Sequence, residues 1–145
     1  MTAKRTAEAA WENDLIHGSG RVWGHSGVLK EMPVSWAART EQPGGKTSPE
    51  ELLAAAHASC YSMALSNTLA KLGKPPQHLK VLATATFDKV GDGMSVTMME
   101  IEVTGTVPGI DPAQFQEAAK QAAAGCPISR ALKGNVEVRV SAHLG

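Results

Sequence analysis

The sequence predicts an α+β fold in which mostly antiparallel sheets pack around one long buried helix. Three observations predict this class: alternating segments within residues 1–40, a helical segment over residues 48–71, and further alternating segments separated by turn residues. Strands and helices that are grouped in this way are typical of α+β domains. Because 145 residues suit one domain, we predict a single domain over residues 1–145.

The N-terminal part of the chain predicts short strands separated by glycine turns. One alternating stretch ends at Trp11, and residues 21–23 have the composition of a second strand. Residues 32–38 alternate with a period of two, which predicts a third strand. Arg39 would then lie late in this strand, on the face opposite Trp36.

A long helix is predicted next, and its two ends are marked by the residues themselves. Ser48 is a favourable N-cap, Pro49 suits the first helical position, and Glu51 completes a capping-box pattern. Pro75 and Pro76 prevent the helix from continuing. Residues 52–70 contain no charged side chain, whereas a surface helix normally has a polar stripe. We therefore predict a helix that is buried on nearly all sides.

The burial of this helix predicts a homodimer. A chain of 145 residues can hardly cover such a helix alone, and small side chains at residues 54–56 let a partner helix approach closely. The alternative is that two sheets of the same chain cover it. Polar side chains such as His57 and Asn67 argue against a membrane span.

The second half of the chain predicts a hairpin, two helices and a last strand. Residues 81–88 and 95–107 alternate on either side of a glycine turn, with a phase shift near Met98 that suggests a bulge. Gly-Cys-Pro at residues 125–127 interrupts the helical pattern that follows. The remaining predicted elements are a helix from Asp111 to about Ala124, a short helix over 128–133 and a strand over 136–141.

Composition argues against several classes of partner. The 14 basic and 14 acidic side chains cancel, so no long-range field attracts nucleic acid or an anionic membrane. The N-terminus is charged and lacks the apolar run of a secretory signal, which predicts a cytoplasmic protein. In that reducing compartment, the two cysteines are more often reactive or metal-bound than a permanent disulfide.

The two cysteines, Cys60 and Cys126, are the candidates for chemistry. Cys60 lies in the charge-free helix, where burial would make it an inert core residue unless a cation such as Arg39 lies nearby. Cys126 precedes Pro127 at the start of the short helix, where the positive end of the helix dipole stabilises a thiolate. Local electrostatics therefore predict that Cys126 is the more acidic thiol, although a simple helix break explains the same residues.

Two alternatives to a redox enzyme stay open at this point. His57 lies three residues before Cys60, on the same helix face, so His57, Cys60 and Cys126 could form a catalytic zinc set of one His and two Cys. No Cys-x-x-Cys motif and no fourth ligand accompany them, which weakens this metal-dependent hydrolase hypothesis. The second alternative is a small-ligand-binding or stress-related interaction protein with structural cysteines.

Two segments resemble a known family. Residues 47–60, Thr-Ser-Pro-Glu-Glu-Leu-Leu-Ala-Ala-Ala-His-Ala-Ser-Cys, and residues 124–129, Ala-Gly-Cys-Pro-Ile-Ser, resemble the osmotically inducible protein C (OsmC) and organic hydroperoxide resistance (Ohr) family. The Ala-Ala-His-Ala-x-Cys run points to the OsmC branch. The resemblance extends over essentially the whole chain and includes its length and element order.

The resemblance implies a thiol-dependent peroxidase that reduces alkyl or fatty-acid hydroperoxides to alcohols. It implies that Cys60 attacks the peroxide and becomes a sulfenate, and that Cys126 resolves it as a disulfide. It also implies an intertwined homodimer with central helices back to back and active sites at the subunit interface. The family uses no metal and no bound cofactor, and its reductant is an external dithiol such as a lipoylated protein.

The resemblance further implies two supporting residues. The arginine of the OsmC branch matches Arg39 and its glutamate matches Glu50, whereas the Ohr branch takes its arginine from a stretch near Arg21. Glu50 precedes Cys60 by about 15 Å along a helix that rises 1.5 Å per residue, so it cannot touch Cys60 of its own chain. If Glu50 assists the thiol site, it does so from a partner chain or through a loop that folds back. We expect Glu50 of a partner chain to orient Arg39.

Overall fold

The structure is a computed structural model that describes all 145 residues. Its order of elements confirms the α+β class: β1 (Ala7–Glu12), β2 (Ser19–Gly24), β3 (Met32–Val34), α1 (Trp36–Thr40), α2 (Pro49–Lys71), β4 (His78–Val90), β5 (Gly93–Thr106), α3 (Pro112–Gly125), α4 (Pro127–Leu132) and β6 (Glu137–Leu144). The chain forms two compact units, Met1–Leu52 and Leu53–Gly145.

The N-terminal unit contains an antiparallel sheet of three strands in the order β1-β2-β3. The strands predicted near Trp11 and over residues 21–23 are confirmed as β1 and β2. The two strands pair along their whole length, with Trp11 opposite Gly20. A Cβ atom at Gly20 would lie 2.7 Å from the Trp11 ring, so only glycine lets the indole pack flat against its partner strand.

The strand predicted over residues 32–38 is wrong beyond β3. Ser35 is an N-cap in extended conformation, and its hydroxyl accepts a hydrogen bond from the Ala38 N–H at 3.2 Å. This cap starts α1 because it supplies a partner for a free N–H of the first turn. Trp36 and Arg39 therefore share one helical face instead of opposite strand faces, and the guanidinium carbon lies 5.9 Å from the indole centroid.

Helix α2 has the predicted ends. The Ser48 hydroxyl accepts a hydrogen bond from the Glu51 N–H at 3.1 Å, and the Glu51 carboxylate accepts one from the Thr47 hydroxyl at 2.7 Å. Both bonds fix the chain as it enters the first turn. One stripe of side chains with a spacing of four residues is fully buried: His57, Tyr61, Leu65 and Leu69.

The other side of α2 is exposed in the single chain, so the predicted burial on nearly all sides requires a second chain. Ala55, Ser59 and Asn67 are exposed there, and Met63 has 67% of its surface exposed. One chain therefore covers only one side of its long helix and leaves an uncharged face open. No helix of the structure is both long and apolar enough to cross a membrane.

The C-terminal unit contains a mixed sheet in the order β4-β5-β6. β4 and β5 form the predicted hairpin, and the predicted bulge lies one position from Met98, where the register shifts between Thr86 and Phe87. β6 pairs with β5 in parallel, since α3 and α4 carry the chain back across the sheet. The predicted mostly antiparallel arrangement is confirmed, because β1–β3 and the hairpin are antiparallel and only β6 runs parallel to its neighbour.

The core of the C-terminal unit joins this sheet to α2 and α3. Phe115 is fully buried, and a Cβ atom at Gly105 would lie 2.6 Å from its ring. Glycine at that position lets α3 approach the sheet closely. The Tyr61 hydroxyl donates a hydrogen bond to the Ala119 carbonyl at 2.9 Å. This bond, together with the buried stripe of α2, fixes the two helices that carry the cysteines.

Candidate functional site

The two cysteines meet in the C-terminal unit. Cys60 lies in the middle of α2, and Cys126 lies at the junction between α3 and α4. Both are free thiols, and the Cys126 Sγ donates a hydrogen bond to the Cys60 Sγ at 3.3 Å. Two sulfur atoms that are 66 residues apart in sequence are therefore close enough for a disulfide to form with a small movement.

Cys126 is held in place by the Gly-Cys-Pro interruption. Its N–H still donates to the Ala122 carbonyl at 2.8 Å, so it closes α3. Its backbone is extended, with φ −69° and ψ 119°, which is the conformation that a following proline favours. Pro127 then begins α4. The same residue thus ends one helix and caps the next, and its side chain faces α2.

The two thiols have opposite tendencies to ionise. Burial by itself would raise the pKa of Cys126, but the main-chain N–H and the hydroxyl of Ser129, followed by smaller effects of Cys60 and Ile128, lower that pKa below its usual value. The Ser129 groups act on the sulfur without meeting the geometry of a full capping hydrogen bond. Burial raises the pKa of Cys60, and neighbouring Cys126 adds to that effect. These two directions agree with the predicted order, in which Cys126 is the more acidic thiol.

Solvent exposure ranks the same two thiols in the opposite order to acidity. Cys126 has no exposed surface, whereas Cys60 is partly exposed. A reagent from solution therefore reaches Cys60 first, although Cys126 ionises more readily. The site has a reachable sulfur and a buried, acidic one in direct contact.

The second predicted pair, Arg39 and Glu50, meets in the N-terminal unit. The Arg39 Nε lies 3.0 and 3.1 Å from the two carboxylate oxygens of Glu50, and an Nη lies 2.8 Å from the nearer one. Glu50 is buried at 7% exposure, so this two-pronged contact locks the guanidinium plane. The pair forms within one chain, whereas Glu50 of a partner chain was expected to contact Arg39. Arg21, the other candidate arginine, is exposed on β2.

An apolar cavity of about 340 Å³ adjoins this ion pair. Trp11, Leu15 and Trp36 line its walls, and Arg39 contributes its one basic side chain. The cavity has the size and character of a site for a small apolar molecule.

The contact that His57 makes differs from the one that the zinc hypothesis requires. Its Nε2 lies 2.7 Å from the Ser129 Oγ, and both side chains are buried. No group of three His, Cys, Asp or Glu side chains is arranged to hold a metal ion. The geometry therefore does not support the proposed set of His57, Cys60 and Cys126. Sequence reasoning missed Ser129, although its position three residues after the N-cap Cys126 is a recognisable spacing.

Comparisons with known proteins agree with this arrangement. The model of the family described as "OsmC-like protein" matches residues 42–141. Peroxiredoxin OsmC of Escherichia coli is 40% identical over 94% of each chain. An organic hydroperoxide resistance protein of Xanthomonas axonopodis is 31% identical over 68% of each chain. The crystal structure of an organic hydroperoxide resistance protein from Elizabethkingia anophelis superposes over 100% of each chain with a TM-score of 0.77 at 24% identity, a likeness of fold.

Proposed function

Because this chain belongs to the OsmC-like protein family, we propose that it is a thiol-dependent peroxidase that reduces organic hydroperoxides to alcohols. The observation that carries the proposal is the contact between a reachable Cys60 sulfur and a buried Cys126 sulfur at 3.3 Å. A nucleophile needs access to its substrate, and a resolving thiol needs only to reach the nucleophile. Access therefore favours Cys60 as the attacking thiol, in spite of its higher pKa.

The proposed reaction runs in two steps. The Cys60 thiolate attacks the outer oxygen of the hydroperoxide, the O–O bond breaks, and the alkoxide takes a proton and leaves as an alcohol. Cys60 becomes a sulfenic acid. The Cys126 sulfur then attacks the Cys60 sulfur, water leaves, and the two electrons lost by the thiols have reduced the peroxide. An external dithiol, for which a lipoylated protein is a suitable donor, reduces the disulfide, so no bound cofactor or metal is required.

The raised pKa of Cys60 creates a need for a positive charge in this scheme. We assign that role to Arg39, which stabilises the thiolate and the charge that spreads over sulfur and oxygen during attack. Glu50 orients the guanidinium through its two-pronged contact. The apolar cavity beside Arg39 supports alkyl and fatty-acid hydroperoxides as substrates in preference to hydrogen peroxide.

Arg39→Ala is expected to slow the reduction of cumene hydroperoxide by about a hundredfold, which is the usual cost of removing one group that stabilises charge in a transition state. Stopped-flow measurement of the first turnover gives this rate directly. Arg21→Ala is the matched control because Arg21 is exposed on a strand of the same unit. A larger loss in Arg21→Ala than in Arg39→Ala would assign the role to the earlier arginine.

We also propose that the protein works as a homodimer that covers the open face of α2. This face carries no charge over residues 52–70 and exposes Met63 by 67%, and a surface depleted of charged side chains is typical of the centre of an interface. Met63→Glu is expected to convert the dimer to monomers, because it buries an unpaired charge between the helices. Light scattering after size exclusion measures the mass. Met94→Glu, at another exposed methionine, should leave the dimer intact.

The function is tested by counting thiols. One equivalent of cumene hydroperoxide per chain should convert both cysteines into an intrachain disulfide within one turnover. Thiol titration would fall to zero, and the intact mass would fall by two hydrogen atoms. Thiols that persist with excess hydroperoxide would contradict the proposal and favour a binding protein with structural cysteines.

A further inference from the structure

A hydrogen bond joins His57 to Ser129, the third residue of the short helix that begins directly after the buried Cys126. The His57 Nε2 lies 2.7 Å from the Ser129 Oγ, and the Ser129 hydroxyl and N–H act on the Cys126 sulfur. The three side chains come from the middle of α2, the third residue of α4 and the junction before it. His57 and Cys126 have no exposed surface and Ser129 has 7%, so water does not compete with these contacts.

Counting hydrogens identifies the donor and the acceptor of the hydrogen bond between His57 and Ser129. A Cys126 thiolate would draw the single hydrogen of the Ser129 hydroxyl, and the serine oxygen must then accept a hydrogen bond. His57 Nε2 therefore carries the hydrogen that it donates to Ser129. The other ring nitrogen, Nδ1, is buried without a hydrogen-bond partner, and burial lowers the pKa of His57. The ring is therefore neutral, with Nδ1 as the bare nitrogen.

We propose that His57 and Ser129 are positioning residues that make Cys126 the leaving sulfur when the Cys60–Cys126 disulfide is reduced. This inference rests on the proposed function, which supplies the disulfide. The incoming thiolate attacks the Cys60 sulfur and forms a mixed disulfide there. The electron pair of the old S–S bond goes to Cys126, which leaves as a thiolate. The Ser129 hydroxyl then turns towards that thiolate, and the hydrogen bond that it accepts from His57 polarises it for this contact.

The difference in solvent access between the two sulfur atoms also favours Cys126 as the leaving sulfur. The attacking thiolate can approach the partly exposed Cys60, but the fully buried Cys126 offers it no path. The other titratable side chains that bear on Cys126 are Cys60 and Tyr61, both on α2. The buried side chains of α3 are all apolar, so they neither donate to the leaving sulfur nor compete for its charge.

The first test locates the mixed disulfide. The protein is oxidised with diamide, which needs no hydroperoxide, so the result can be read even if the peroxidase proposal fails. It is then treated briefly with 2-mercaptoethanol, quenched with acid, alkylated after denaturation and analysed by mass spectrometry. The mixed disulfide is expected on Cys60 and the alkyl group on Cys126. A mixed disulfide found mainly on Cys126 would overturn the inference.

The second test removes the Ser129 hydroxyl and the His57 ring in separate variants. Ser129→Ala and His57→Leu are expected to slow the exchange by roughly threefold to tenfold, because a more basic thiol leaves more slowly. His57→Gln, which retains an N–H donor, should recover most of the rate and shows that a folded protein gives the signal. Thr68→Val is the matched control, since it removes a different α2 hydroxyl that bonds only to the Ala64 carbonyl.

Titration of the Cys126 thiol distinguishes the proposed role of His57 and Ser129 from a purely structural one. In Cys60→Ser protein, Cys126 is the only thiol, and its ultraviolet thiolate absorbance can be followed against pH. Adding Ser129→Ala or His57→Leu should move the midpoint to higher pH, while adding His57→Gln or Thr68→Val should not. Midpoints that stay unchanged in both of the first two variants would overturn the inference.

Discussion

Cys60→Ser is expected to slow the consumption of organic hydroperoxide by at least about a thousandfold, because it removes the nucleophile that the peroxide can reach. A hydroxyl has nearly the same size as a thiol, so the fold should persist. Stopped-flow mixing with cumene hydroperoxide measures the rate, and thermal unfolding checks the fold. Thr68→Val is the matched control because the Thr68 hydroxyl donates only to the Ala64 carbonyl of the same helix.

A Cys60→Ser protein that stays active would identify Cys126 as the nucleophile. The pKa of Cys126 is lowered and that of Cys60 is raised, so acidity alone would select Cys126 as the nucleophile. A Cys60→Ser protein that still reduces peroxide rapidly would show that acidity prevails over access. It would also require the fully buried sulfur to become exposed during the reaction.

Cys126→Ser is expected to keep the first turnover and to lose all later ones. Cys60 can still attack the peroxide, but its sulfenic acid no longer has a thiol 3.3 Å away with which to condense. Mixing with excess hydroperoxide and dithiothreitol should therefore give a burst of about one equivalent, followed by a rate at least tenfold below that of the unaltered protein. The burst amplitude and the steady rate are both read by stopped flow.

Intact mass spectrometry identifies the product of that burst. Cys60 should gain two oxygen atoms with further hydroperoxide, because an unresolved sulfenic acid proceeds to the sulfinic acid. Sustained turnover in Cys126→Ser would contradict the resolving role of Cys126 and would mean that the external dithiol reduces the sulfenic acid directly.

Much of this fold could be predicted because local residues determine it. The caps at Ser48 and Asp111 and the Cys126–Pro127 junction each fix an element boundary within a few residues. The strand predicted through Ala38 failed because a few alternating apolar residues also fit one helical turn. Ser35 decides between them by capping Ala38, and a serine in that position has no clear signal in a strand pattern.

The site was predictable in its residues but not in all of its contacts. The acidity of Cys126 followed from its place before Pro127, which is a local property. The bond between His57 and Ser129 joins residues that are 72 positions apart, and no periodic pattern points from one to the other. The in-chain pairing of Arg39 with Glu50 was also missed. The rise along α2 fixes the distance from Glu50 to Cys60, but it does not determine where the residues before α2 lie.

The burial of Cys126 affects how the protein withstands thiol-reactive electrophiles. Electrophiles such as quinones, enals and alkyl halides do not discriminate between a catalyst and any other thiol that they encounter. Here they meet a single sulfur atom at the surface, and the second is enclosed by the protein that surrounds it. Thiol damage from such compounds is thus confined to Cys60, and the buried Cys126 is spared.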